Sequence, residues 1–313
     1  MSRVACIGEC MVELSLPPET DAPSETGAPG DGGMGAARLG FAGDTANVAI
    51  YLKRTAGAGA EVAYVTGVGD DRLSERMVAF LAGHRLDVSL IERRAGKAPG
   101  LYAISLDAKG ERSFTYWREA SAARTLFEPA EVVTFDRLRG FDVLYLSGIS
   151  LAVLSQGARD ALRGFLAEYR AGGGQVAFDS NYRPRLWPDA ATARREIEAL
   201  WRLTDIALPS VDDEMALWGD AEAGGVLARI LGFGPRRGAL KRGAKGPVGI
   251  GWDGPLPAFP AESRVVDTTA AGDSFNGGFL AALLAGAPPP DCMMAGHMLA
   301  SRVIRYPGAI IPE

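Results

Sequence analysis

The sequence predicts an α/β protein in which helices cover both faces of a mostly parallel central sheet. Short runs rich in Val, Ile and Leu, such as residues 4–8 and 175–178, alternate with stretches of helical periodicity along most of the chain. Two runs of period-two alternation, residues 100–107 and 112–118, interrupt this order and predict a β-hairpin. The 313 residues show no internal repeat. We therefore expect a single domain over residues 1–313, with a small β-sheet lid from about 10–42 and 98–120 inserted in it.

Composition and charge argue against several classes of protein. Hydrophobic residues make up 47% of the chain and charged residues 23%, as in a soluble globular protein. The net charge of −5 argues against nucleic acid or an anionic membrane as a partner. No signal-peptide pattern or long apolar run is present, so we expect a cytoplasmic protein. There is no P-loop motif, and no GxGxxG follows the first strand, which counts against a dinucleotide-dependent oxidoreductase.

The N-terminal elements are predicted to be a buried strand and the start of a more exposed sheet. Residues 4–8 are almost all apolar, whereas residues 9–14 alternate, with Glu9, Met11 and Glu13 on one face. Residues 16–35 are rich in Pro, Gly and acidic residues, and we expect them to form a mobile surface loop.

A helix is predicted to begin near Gly43. Asp44 or Thr45 is a suitable N-cap, and apolar residues recur with helical spacing after it. Capping alone would explain Asp44, but it would not explain Asn47 on the buried side of the helix. Gly43, Asp44 and Asn47 are therefore candidate ligand-binding residues.

The predicted hairpin carries Tyr102, Tyr116 and Arg118. Tyr116 and Arg118 are two residues apart on one strand, so the ring and the guanidinium share a face. A hairpin that interrupts a pattern of alternating strands and helices is well placed to form a lid over an active site. The plain alternative is that Arg118 is only a solvated residue at a strand end.

Polar residues follow three later strands, and those after the first lie at the edge where parallel sheets bind their ligands. A polar loop would explain the prolines in that first segment, but not acidic, amide and basic side chains arriving together. Glycines in the last segment also suit an ordinary turn. The residues are Asp179, Asn181 and Arg183 after the first strand, Ser210, Asp213 and Glu214 after the second, and Lys241, Gly243 and Gly246 after the third.

The most informative stretch begins at residue 265, where a strand end and a short polar turn lead into a helix of small residues. The backbone N–H groups of Ala270, Ala271 and Gly272 are predicted to be unpaired at this helix N-terminus, where an anion binds favourably. Asp273 follows directly and could act as a base beside a bound phosphate, as phosphoryl transfer requires. The simpler alternative is that Asp273 only interacts with the helix dipole.

The run from Asp267 to Gly278 resembles the second signature of the pfkB or ribokinase-like carbohydrate kinases, which implies the ribokinase-like three-layer fold. The resemblance implies that Asp273 is catalytic and that Ala270, Ala271 and Gly272 form an anion hole. It implies ATP and Mg²⁺ as cofactors, with Mg²⁺ held mainly by the ATP phosphates, and leaves a monovalent cation open. The residues implied for ATP are Asn181, Ser210, Asp213, Lys241, Gly243, Gly246, Ala271 and Gly272.

Within this family the chain is most similar to the 2-keto-3-deoxygluconate kinases. The similarity covers I-G-E-C-M-V-E-L-S, Y-W-R, D-x-N-Y-R-P-R-L-W and G-A-I-I-P, although Ala42 replaces the first glycine of the usual GGDxxN element. It implies phosphorylation of this sugar acid at its terminal (C6) hydroxyl. Separately, because a hairpin is not stable unsupported, we expect a homodimer through the lid or a higher homo-oligomer. The residues implied for the sugar acid are Gly43, Asp44, Asn47, Tyr102, Tyr116, Arg118, Arg183 and Asp273.

Two alternatives remain open at this point. One is a kinase for a neutral sugar such as fructose or ribose, which would not need Arg118 and Arg183. The other is a non-catalytic sugar-acid-binding protein on the same fold, which the intact Asp273 disfavours. Release of ADP with a panel of sugars and sugar acids separates all three.

Overall fold

The computed structural model describes residues 1–16, 37–106, 112–129 and 131–313, with Leu106 and Arg112 described by their backbone alone. The loop predicted over 16–35 lies, after residue 16, outside the described residues, and so does the predicted hairpin turn over 108–111. Among the described residues, no helix is both long and apolar enough to cross a membrane.

The strands form two sheets, and the larger one is parallel except at one edge. Its order is β12-β11-β10-β9-β8-β1-β4-β5, and only the β11–β12 pair among these described strands is antiparallel. In chain order the strands are β1 (Ser2–Ile7), β2 (Met11–Ser15), β3 (Arg38–Ala42), β4 (Ala60–Val68), β5 (Ile91–Arg93), β6 (Leu101–Leu106), β7 (Arg112–Trp117), β8 (Val143–Ser147), β9 (Gln175–Asp179), β10 (Ile206–Ala207), β11 (Arg237–Leu240) and β12 (Val248–Ile250).

The smaller sheet has the order β3-β2-β6-β7 and forms the lid. Strands β6 and β7 pair antiparallel with Tyr102 opposite Tyr116, which confirms the predicted hairpin. Strand β2 pairs antiparallel with β3 and parallel with β6. The chain therefore leaves the middle of the large sheet at the end of β1 and enters the lid after three residues, as the change from an apolar run to alternation predicts.

Helices cover both faces of the large sheet. Alternate residues of its central strands accordingly belong to different hydrophobic clusters. In β1, for example, Ala5 and Ile7 belong to one cluster and Val4 and Cys6 to the other. This arrangement confirms the predicted three layers. The helices are α1 (Asp44–Ala56), α2 (Arg72–Gly83), α3 (Phe135–Leu138), α4 (Gly148–Val153), α5 (Gln156–Ala171), α6 (Ala190–Trp201), α7 (Val211–Trp218), α8 (Ala223–Phe233), α9 (Ala271–Leu284) and α10 (Pro289–Val303).

The start of α1 differs from the prediction. Gly43 is its N-cap and provides no side-chain cap, so the assignment of Asp44 or Thr45 was wrong. Both side chains are engaged elsewhere: the Asp44 carboxylate accepts a hydrogen bond from Asn181 Nδ2 at 2.8 Å, and Thr45 Oγ1 lies 3.1 Å from the Tyr64 hydroxyl. Tertiary contacts have taken the groups that usually cap a helix.

Candidate active site

The N-terminus of α9 forms part of a cavity. Ala270, the N-cap, has a left-handed backbone with φ 59°, and the helix begins at Ala271. Ala271 and Gly272 line a cavity of about 370 Å³. The Ala271 N–H donates to the Thr268 carbonyl at 3.1 Å, so the prediction that all three amides are unpaired was wrong for Ala271. This hydrogen bond closes a tight turn before α9, and Gly272 in the first turn of the helix lies at the cavity wall.

Asp273 lies in the first turn of α9 and is held by a residue from α1. Its Oδ2 accepts a hydrogen bond from Asn47 Nδ2 at 2.8 Å. Burial, followed by the negative charge of Asp44, raises the pKa of Asp273 to about 7, although Asn47 and Lys241 oppose this shift. A carboxylate that titrates near neutral pH is suited to general base catalysis, because it can take up and release a proton under the same conditions.

The start of α1 joins the end of β9 in the same region. A Cβ on Gly43 would lie 2.2 Å from the Glu9 carbonyl oxygen, so only glycine fits at this position. The Asp44 carboxylate bonds Asn181, which has an unusual φ of 33°. Asn181 was predicted to bind nucleotide, and the structure places its amide on Asp44 instead of along the 370 Å³ cavity.

A buried polar network lies close to Asp273, and no role was predicted from the sequence for most of its members. Lys241 Nζ donates to Asp179 Oδ2 at 2.5 Å and to Asn276 Oδ1 at 3.0 Å. Asn276 Nδ2 in turn donates to Asp179 Oδ2 at 2.8 Å and to the Tyr145 hydroxyl at 3.0 Å. The position of Asn276 in an otherwise apolar helix, three residues after Asp273, is the signal that could have revealed it.

The 370 Å³ cavity has a size typical of small-molecule sites. Of the predicted nucleotide residues, Ser210, Lys241, Gly243, Ala271 and Gly272 line it. Gly246 lies outside the lining and packs against Phe259, while Asp213 points toward Arg183. Other residues that line this cavity were not predicted from the sequence, and most of them are apolar: Pro247, Ala261, Val265, Phe275, Ala300 and Ile304.

A second cavity, of about 1180 Å³, separates the lid from the large sheet's polar edge. Tyr116 and Arg118 contribute from the lid, and Arg183 comes from the segment after β9, as predicted for substrate residues. Tyr102 does not line this cavity, and its hydroxyl donates to Glu13 on the neighbouring strand. Two arginines that the sequence analysis did not single out, Arg124 and Arg185, also line it.

Two of the predicted arginines already have carboxylate partners. Arg118 forms a buried ion pair with Glu9, whose side chain is 1% exposed. Arg183 Nη1 contacts Asp213 Oδ1 at 3.0 Å. Burial opposes the charged form of Arg183, but Asp213, Asp179 and Asp44 together outweigh it and raise the Arg183 pKa. Both guanidinium groups are therefore held in place by carboxylates.

Two of the acidic residues after Ser210, Asp213 and Glu214, differ in their contacts. Asp213 faces the polar edge through Arg183, whereas Glu214 is fully buried and accepts a hydrogen bond from Arg229 at 2.8 Å. Of these two, Asp213 is thus the one at the polar edge, while their neighbour Asp212 lines the 370 Å³ cavity.

Comparison with known proteins identifies the family. The model of the pfkB family of carbohydrate kinases matches residues 1–313. The chain belongs to this family. A relative named 2-dehydro-3-deoxygluconokinase in Escherichia coli (strain K12) is 43% identical, covering 99% of this chain and 97% of the relative. Relatives of the same name in Dickeya dadantii and Haemophilus influenzae are 42% and 37% identical, covering 99% and 100% of this chain and 97% and 96% of their own lengths.

Solved structures of pfkB-family proteins share the fold. A PfkB protein from Polaromonas sp. JS666 superposes with a TM-score of 0.81 at 25% identity, covering 97% of this chain and 96% of its own. A 2-dehydro-3-deoxygluconokinase from Thermotoga maritima gives a TM-score of 0.81 at 21% identity, covering 99% and 94%. The predicted family and ribokinase-like fold are confirmed.

The pfkB-family site predicts how the kinase activity depends on pH. With Asp273 as the expected base, its raised pKa of about 7 predicts that kcat/KM falls about tenfold per pH unit below that value, because a base must be deprotonated. Initial rates measured between about pH 5 and about pH 9 test this, with melting temperature followed over the same range as a control for unfolding. An acid limb near the ordinary aspartate value, about 4, would contradict it.

Proposed function

We propose that this chain catalyses ATP-dependent phosphorylation of 2-keto-3-deoxygluconate at its terminal (C6) hydroxyl, giving 2-keto-3-deoxy-6-phosphogluconate. The relatives at 37–43% identity over nearly the whole chain bear the name of this activity. The observation that carries the proposal is the position of Asp273. Asp273 directly follows Ala271 and Gly272, which line the 370 Å³ cavity. It also bonds Asn47 in the first turn of α1. Asp44, in the same turn, bonds Asn181, which lies two residues before Arg183 at the arginine-lined cavity.

In this reaction ATP occupies the smaller cavity and the sugar acid occupies the larger one. Asp273 takes the proton of the acceptor hydroxyl as the hydroxyl oxygen forms a bond to the γ-phosphorus. The bond from the γ-phosphorus to the oxygen that bridges it to the β-phosphorus breaks, and ADP leaves with that electron pair. Gly272, at the N-terminus of α9, faces the transferred group, where the helix dipole stabilises negative charge.

Magnesium is expected to enter with the nucleotide. The structure describes no group of three or more acidic, His or Cys side chains that could hold a metal within its residues 1–16, 37–106, 112–129 and 131–313. Asp213 offers a partly exposed carboxylate of the kind that Mg²⁺ prefers, and would contact the ion or its water ligands. Mg²⁺ would supply positive charge to the ATP phosphates.

Rates in potassium, sodium and cation-free buffers would test for a monovalent cation.

The larger cavity supports an acidic substrate. Four arginines, Arg118, Arg124, Arg183 and Arg185, line it together with one carboxylate, Glu119. Glu9 and Asp213 offset part of this positive charge. The remainder is local to the cavity, because the net charge of the protein is −5. Charge-assisted hydrogen bonds from guanidinium to carboxylate are short and strong, which favours a sugar acid over a neutral sugar.

The direct test is ADP release by the purified protein with 2-keto-3-deoxygluconate, 2-keto-3-deoxygalactonate, fructose and ribose. We expect the highest kcat/KM with the first compound. We expect Asp273→Asn to lose roughly 10²- to 10⁴-fold in kcat, because it removes the base, and to keep its affinity for ATP. Higher kcat/KM for fructose or ribose would favour a neutral-sugar kinase. Near-normal turnover in Asp273→Asn would remove Asp273 from its proposed role.

Arg118 is proposed to bind the substrate carboxylate. Arg118→Leu should raise KM for 2-keto-3-deoxygluconate by at least roughly tenfold, while weak activity on a neutral ketose changes little. Steady-state kinetics with both substrates measures this difference.

The control must separate carboxylate binding from loss of the buried ion pair, since Arg118→Leu also leaves Glu9 uncompensated. Glu9→Gln breaks the same ion pair and retains the guanidinium. We expect any effect of this control to be similar for acidic and neutral substrates. If both variants lose the same activity on both substrates, Arg118 serves to hold the lid in place.

We also propose that the protein is a cytoplasmic homodimer associated through the lid. The lid exposes Phe114, Tyr116 and Trp117, with Trp117 58% exposed. Trp117→Glu should shift sedimentation toward the monomer because it places a charge in the interface. Tyr306→Glu, a matched change at an aromatic residue outside the lid, should leave the sedimentation unchanged. A wild-type protein that sediments as a monomer at all concentrations would exclude the dimer.

A further inference from the structure

Lys241 has an unusual environment for a lysine. The residue is 8% exposed, and its ammonium group bonds Asp179 and Asn276 at 2.5 and 3.0 Å. An ammonium has three N–H donors, so these two contacts within the described part of the chain leave one donor for a ligand. Lys241 also lines the 370 Å³ cavity, which gives a ligand access to that donor.

The ammonium lies next to the N-terminus of α9. A Cβ built on Gly272 would be 3.4 Å from Lys241 Nζ and 4.0 Å from Cε. The lysine and the first turn of α9 therefore contact the same end of the cavity. Because Gly272 has no side chain, a group that binds at this helix N-terminus can also reach the ammonium.

The partners of Lys241 fix its position from two directions. Asn276 Oδ1 accepts from the ammonium while its Nδ2 donates to Asp179 Oδ2, so one amide orients both members of the ion pair. Asp179 Oδ1 accepts the Asn181 backbone N–H at 3.1 Å. Such a pair adds little stability compared with apolar packing, and its placement at a cavity wall suggests a role toward a ligand.

We propose that Asp179 and Asn276 are positioning residues that hold the Lys241 ammonium at the Gly272 end of the cavity, where its third N–H binds the phosphoryl group in transfer. This inference rests on the proposed kinase function and names residues of that site beyond Asp273. Lys241 makes the contact with the phosphoryl oxygens, whereas Asp179 and Asn276 act only through Lys241.

The same arrangement affects Asp273. The titratable groups that face Asp273 are Asp44 and Tyr51 on α1, Tyr145 on β8, Asp179 at the end of β9, and Lys241. After burial and Asp44, the pKa of Asp273 is lowered by Lys241 and raised by Asp179. Removing the lysine charge should therefore move the acid limb of the pH profile to higher pH, and removing the Asp179 charge should move it to lower pH.

The first experiment measures nucleotide binding without sugar, so its result does not depend on the identity of the acceptor. Calorimetry would compare the affinities of Lys241→Met and wild type for the β,γ-imido analogue of ATP and for ADP. We expect Lys241→Met to lower the affinity for the analogue by roughly tenfold or more and the affinity for ADP by much less, because the lost contact is to the terminal phosphate. Lys245→Met, an exposed lysine in the same turn, is the matched control and should bind both nucleotides as wild type does.

The second experiment tests the positioning residues. Asp179→Asn and Asn276→Ala should also lower the affinity for the analogue more than the affinity for ADP. The acid limb of kcat/KM should shift up by about one pH unit in Lys241→Met and down by a similar amount in Asp179→Asn. If Lys241→Met does not fold, Lys241→Gln removes the charge and retains a donor, and should show the same upward shift.

Two results would overturn the inference. One is an equal loss of affinity for the analogue and ADP in Lys241→Met, which would indicate a structural lysine. The other is an acid limb that stays in place in both charge variants. Failure of the proposed function looks different, because the wild type would then bind both nucleotides without phosphorylating the sugar acid.

Discussion

The site depends on the cost of bringing several carboxylates together where water is scarce. Four aspartates come from four separate elements to one edge of the sheet, and like charges that are partly removed from water raise one another's proton affinity. Each carboxylate has its own donor, an asparagine amide for two of them and a cationic side chain for the other two. The pairs are Asp44 with Asn181, Asp179 with Lys241, Asp213 with Arg183, and Asp273 with Asn47. Burial and the nearby charge of Asp44 raise the pKa of Asp273 to about 7, and the amide of Asn47 and the charge of Lys241 only partly oppose this shift.

The parallel sheet makes this gathering possible. Strands β8, β9, β10 and β11 are neighbours, so Tyr145, Asp179, Ser210 and Lys241 come to one edge although nearly 100 residues separate the first from the last. Helices α1 and α9 then bring Asn47 and Asp273 to the same edge, and they pack closely because a Cβ on Gly277 would lie 2.7 Å from Tyr51 Cβ. Small residues in α9 therefore let it approach α1 closely, which brings Asp273 within hydrogen-bonding distance of Asn47.

Local sequence predicted those features that depend on local backbone chemistry. The hairpin, the alternating strands and helices, and the helix that begins beside Asp273 follow from periodicity and small residues within short windows. The N-cap of α1 was wrong because Asn181, 137 residues away in the chain, takes the Asp44 carboxylate. Local sequence likewise could not predict the Lys241–Asp179 and Arg118–Glu9 pairs. Each pair joins residues on separate elements, and only the order of the strands in the sheets brings those elements together.

The Arg118–Glu9 pair also bears on how a protein of net negative charge would bind an anion. Long-range attraction is weak in such a protein and is screened beyond about 8 Å at physiological salt, so recognition must take place within the cavity. There Glu9 already neutralises Arg118, and Asp213 partly neutralises Arg183. The excess positive charge is consequently small, and what the two pairs supply is guanidinium groups fixed in direction before the substrate arrives. A carboxylate that fits this geometry gains directional hydrogen bonds at little ordering cost, whereas an anion of another shape gains only a weak charge interaction. Selectivity for a sugar acid would then come from the orientation of the arginines more than from their number.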